Sequence, residues 1–109
     1  MRTLFCAALV ASLSLPAAAQ TRPDQQKFRA LYKELVETNT TLSSGSCTLA
    51  AQKMAAHLKA AGYPDADLHP FSVKEHPKDG GLVAILHGSD PKAKAVLLLA
   101  HIDVVEAKR

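Results

Sequence analysis

Residues 94–105 read KAVLLLAHIDVV, and the fold turns on how this stretch is read. The run from Ala95 to Ala100 is apolar without a break, too short to span a membrane, and lacks helical alternation. Consecutive bulky side chains with no polar face predict a strand buried on both sides. Side chains alternate along a strand, so His101 and Asp103 project to one side and Ile102 to the other. An imidazole and a carboxylate then share the C-terminal end of a buried strand, the end at which open α/β sheets gather ligands and reacting groups.

Upstream, residues 82–86 form a second uninterrupted apolar run, stopped by His87-Gly88-Ser89-Asp90-Pro91. Residues 66–73 predict a strand interrupted by Pro70, which suits an edge or a bulge, and residues 74–80 predict the turn between them. Two helices come first. Phe28, Leu31, Tyr32, Leu35 and Val36 recur at helical spacing, with Asp24 as the expected N-cap, and this face is expected to lie on a sheet. A second helix is expected over residues 47–61, capped by Ser46, ended by Gly62, and buried through Leu49, Ala50, Met54, Leu58 and Ala61. The order helix, helix, edge strand, strand, strand gives an α/β chain.

The first nineteen residues belong to a different class. Arg2 supplies a positive start, residues 4–15 an apolar core broken by Pro16, and Ala17-Ala18-Ala19 a cleavage site before Gln20. This pattern predicts a secretory signal and export to the periplasm or medium. The apolar core falls short of the roughly 20 residues a membrane span needs, so no stable membrane anchor is expected. Cys6 leaves with the signal and Cys47 stays as a lone thiol, read as a small packing residue. The formal charge of +3 falls to +2 once Arg2 is removed, and aromatics make up only 5% of the chain. The lysines are scattered among acidic residues and no interleaved stacking surface is present, which argues against nucleic-acid binding.

His101 and Asp103 admit two readings. One is an ordinary polar strand exit. The other is a zinc ligand with its orienting carboxylate, because zinc takes a neutral imidazole nitrogen and the opposite ring N–H is normally held by a carboxylate. His87 also ends an apolar run and is the second candidate ligand, although no carboxylate stands two residues away. His57 reads as a boundary histidine on its helix, and His69 and His76, each before a proline, read as exposed loop or edge positions.

The run LLLAHIDVV at residues 97–105 resembles the first metal-binding motif of the aminoacylase and glutamate carboxypeptidase family of co-catalytic zinc peptidases. The similarity continues through LVETNT at residues 35–40, Ser44-Gly45, LKAAGY at residues 58–63 and GGLVAILHG at residues 80–88. The resemblance implies that residues 20–109 are the N-terminal part of a metallopeptidase catalytic domain, with helices packed on a mostly buried mixed sheet. It implies His101 as a zinc ligand and Asp103 as the catalytic-site carboxylate steadying it. It further implies two zinc ions, a glutamate base, and hydrolysis of a peptide or N-acyl amino acid amide bond, in a carboxypeptidase-like manner.

The family's remaining ligands and base have no counterpart before Arg109, so the resemblance makes these residues a truncated piece, inactive alone. The alternative is a small exported binding or structural module in which His101 and Asp103 are merely polar neighbours.

Overall fold

The computed structural model describes residues 22–107, and the leader read at residues 1–19 lies outside them. The chain is a small α/β fold of two helices, α1 (Pro23–Glu37) and α2 (Cys47–Ala60), followed by two strands, β1 (Leu68–Val73) and β2 (His76–Ala84). The strands pair antiparallel as a single hairpin. Among the described residues no helix is long and apolar enough to cross a membrane.

Local chemistry sets the helix ends. Pro23 opens α1, where its fixed φ suits the first turn and its missing N–H has no intrahelical partner to lose. The N-cap is therefore Arg22, not Asp24, and Gln25 Oε1 accepts the Arg22 N–H at 3.1 Å. Asp24 falls in the first turn, where its charge complements the helix dipole. Ser46 caps α2 as expected, its Oγ accepting the Leu49 N–H at 3.1 Å. Gly62 ends it at φ 96°, and the Tyr63 N–H reaches back to Leu58 O at 3.1 Å.

α2 lies on the hairpin through its small residues. Ala50 and Ala51 are buried, Met54 and Leu58 half-buried, and Leu49 and Ala61 exposed, so the contact face is rotated from the expected one. Thr48 Oγ donates to Pro77 O at 2.8 Å. A Cβ at Gly80 would collide with Thr48 Oγ and Phe71 O, so glycine is what lets helix and strand approach this closely. The Phe71 ring covers Gly81, its register partner. The expected turn over residues 74–80 shrinks to Lys74 and Glu75, and β2 already begins at His76. Pro70 and Pro77 fit because each strand of a two-stranded sheet is an edge.

Residues 95–100 differ most from expectation. They form no strand, and Val96, Leu97, Leu98 and Leu99 are 80–90% exposed. The mostly buried mixed sheet is thus corrected to a two-stranded antiparallel one among the described residues. Burying a strand on both faces takes neighbours along its edges and layers above and below. Here α2 is committed to the hairpin and α1 contributes no buried residue. Phe28, Tyr32 and Val36 on α1 are likewise exposed instead of resting on a sheet.

Candidate functional site

The site is built where the segment after residue 100 returns to the turn between α1 and α2. Asn39 organises that turn. Its Oδ1 accepts the Thr41 N–H at 3.0 Å and the Thr41 hydroxyl at 2.8 Å, while its Nδ2 donates to Ser44 Oγ at 3.0 Å. The backbone closes over it, with Gly45 N–H to Thr41 O and Ser46 N–H to Asn39 O, both 2.9 Å. Gly45 is buried, and a side chain there would run into the backbone of Thr41 and Asn39.

Three contacts dock the later segment onto this turn. Val104 forms an isolated parallel bridge with Thr41, and its N–H points to Thr40 O at 3.4 Å. Glu106 Oε1 accepts the Ser43 N–H at 2.8 Å. Hydrogen bonds from Ser43 hold the Glu106 carboxyl below the usual glutamate range; burial opposes them, and a still smaller hydrogen bond from Thr41 adds to the lowering.

His101 and Asp103 lie side by side just before these anchors. His101 Nδ1 faces Asp103 Oδ1 at 3.1 Å and Asp103 O at 3.2 Å. A carboxylate and a carbonyl only accept, so Nδ1 is the donor, and in the neutral ring the lone pair then lies on Nε2. The side chains are 85% and 71% exposed, which leaves Nε2 open to solvent.

Two other histidines also face carboxylates. His57 Nε2 donates to Glu34 Oε2 at 2.6 Å, and His87 Nε2 donates to Asp67 Oδ1 at 2.9 Å. In both, the outer ring nitrogen is consumed, and only His101 turns its inner nitrogen to the carboxylate. Asp67 was not legible as a partner for His87 from spacing, because the hairpin brings them together by pairing Leu68 with Ala84. His69 and His76 sit exposed on β1 and β2.

Cys47 is a free, half-buried thiol. Burial pushes its pKa up, and the negative charges of Asp103 and Asp79 add to the effect, so it is a poor nucleophile and a packing residue in character. A cleft of about 150 Å³ between α2 and the hairpin, lined by Thr48, Gln52, Pro70, Phe71, Ser72 and Gly81, includes none of the candidate ligands.

The donor set supplies one ligand position. Among the described residues no group of three or more His, Cys, Asp or Glu side chains is arranged to hold a metal ion. A zinc centre takes about three protein ligands or more, so His101 fits such a centre as one member with its orienting carboxylate in place. No family model, curated protein or solved structure matches the chain.

Proposed function

We propose that this chain carries the first metal-binding element of an exported zinc-dependent metallopeptidase or amidohydrolase acting on peptide or N-acyl amino acid amide bonds. The observation that supports the reading is the bond from His101 Nδ1 to Asp103, which in the neutral ring places the free lone pair on Nε2, away from the carboxylate. That is the state a zinc-ligating imidazole requires. Bound zinc would supply Lewis acidity toward an amide carbonyl. His101 would hold it through Nε2, and Asp103 would fix the ring's tautomer and raise its basicity. Further ligands and the general base come from outside the described residues, so residues 20–109 alone are expected to be inactive and to bind zinc weakly.

The test is zinc retention and amidase turnover by the whole polypeptide that carries this segment, compared between wild type and His101→Ala. Loss of both supports the reading, and wild-type behaviour of the variant rejects it.

A second reading is favoured by the His57–Glu34 and His87–Asp67 pairs, which show that histidine meets carboxylate elsewhere on this surface. In it the chain is an exported binding or structural module and His101–Asp103 is a third such pair. Zinc-independent behaviour of every histidine variant would favour it.

A further inference from the structure

We infer that Glu106 is a positioning residue for the His101–Asp103 pair, clipping the segment that bears them onto the turn at residues 39–46. The inference rests on the functional reading above for its significance, but its geometry stands independently. The apolar run before His101 has no strand partner among the described residues, so nothing in a sheet holds the pair from that side. The support comes from the other side. The Val104 amide lies at a long 3.4 Å from Thr40 O, whereas Glu106 makes a 2.8 Å charge-assisted bond to the Ser43 N–H. Ser43 and Glu106 are 63 residues apart, so the bond closes a long loop rather than decorating a local turn.

The surface that Glu106 grips is suited to act as a datum. Asn39 bonds to Thr41 on one arm of the turn and to Ser44 on the other, and the backbone packs so closely at Gly45 that a Cβ there would meet Thr41 and Asn39. Glu106 thus adds a second, shorter tie to the Val104 bridge that joins this segment to the turn. The His101–Asp103 bond is itself exposed and between near neighbours in sequence. Such a bond competes with water unless the backbone carrying it is held, and restraint of the backbone is what the clip contributes.

The test uses the ¹⁵N-labelled full chain and reads the ring nitrogens of His101 by imidazole ¹⁵N–¹H correlation at a pH where the ring is neutral. Wild type should show a protonated Nδ1 and an unprotonated Nε2. Glu106→Ala should move both nitrogens toward the averaged values of a freely exchanging histidine while His57 and His87 stay as they were. Glu106→Gln should restore the wild-type pattern, because its amide oxygen still accepts the Ser43 N–H. Asn39→Ala, acting from the turn, should reproduce the effect of Glu106→Ala. An unchanged His101 pattern in both Glu106→Ala and Asn39→Ala overturns the inference. The readout involves no zinc, so a failure of the metal reading would appear separately, as wild-type zinc retention by His101→Ala.

Discussion

His57 on α2 donates its Nε2–H to Glu34 on α1 at 2.6 Å, and this bond is the centre of the contact between the two helices. Lys53 reinforces it, donating to Thr38 Oγ at 3.0 Å and lying 3.9 Å from Glu34 Oε1. Thr38 is buried, and its hydroxyl in turn donates to Glu34 O at 2.7 Å. The helices are therefore joined by a polar cluster, while the aromatic face of α1, with Phe28 stacked on Tyr32 at 6.0 Å, stays in solvent.

That cluster makes the docking of α1 sensitive to acid. The hydrogen bond from His57 is the main cause holding the Glu34 carboxyl below its ordinary value; burial opposes it, and the charges of His57 and Lys53 add to the lowering. A carboxyl depressed in the folded state stabilises the fold above its unfolded value of about 4.3 and loses that contribution as pH falls through the lower folded value. Hydrogen exchange should show α1 losing protection relative to α2 in that acid window. Glu34→Gln should weaken α1 at neutral pH and remove the acid step. An identical acid step in the variant would contradict this account.

The turn between the helices should tolerate little change. Gly45→Ala forces a Cβ into the backbone of Thr41 and Asn39 and should cost about 1–3 kcal/mol by overpacking. Ser46→Ala removes the α2 cap and should cost about 1 kcal/mol. Urea denaturation measures both, and a Gly45→Ala midpoint equal to wild type would show that the close approach at this turn is not rigid.

Residues 96–99 expose four large apolar side chains with no strand partner in the described range, and such a segment invites edge pairing. Sedimentation of residues 20–109 should show association that grows with concentration, and Leu98→Lys should reduce it. A monomer at every concentration, with no binding of an apolar dye, would show that the run is covered in solution.

Helix chemistry was legible in the sequence because it is local. Ser46 and Gly62 mark the ends of α2 by their own conformational preferences, and Pro23 outranks Asp24 at the start of α1 for the same kind of reason. The strand reading of residues 95–100 failed in the described structure because burial is a property of neighbours, and an apolar run specifies only that neighbours are wanted. His101 and Asp103 do meet, but as exposed neighbours two residues apart and not at the end of the buried strand that the alternation predicted. The roles of Asn39 and Glu106 were not legible, since they arise from a contact across 63 residues. The one sequence signal was the Asn39-Thr40-Thr41 run, whose first residue favours an Asx turn.

The secretory reading of residues 1–19 is testable on its own. If they act as a signal, mature protein should begin at Gln20, unmodified or cyclised, by intact-mass spectrometry, as cleavage after Ala17-Ala18-Ala19 predicts. Mature material that retains Met1 would contradict cleavage.

The most direct test of the metal reading is the zinc content of the whole polypeptide carrying this segment, measured after dialysis against a mild chelator. His101→Ala should lose zinc and turnover together. Asp103→Asn should keep much of the zinc, because its amide oxygen still accepts the ring N–H, while activity falls about 10- to 100-fold. Wild-type zinc content and turnover in both variants would contradict the account and leave His101–Asp103 an ordinary surface pair.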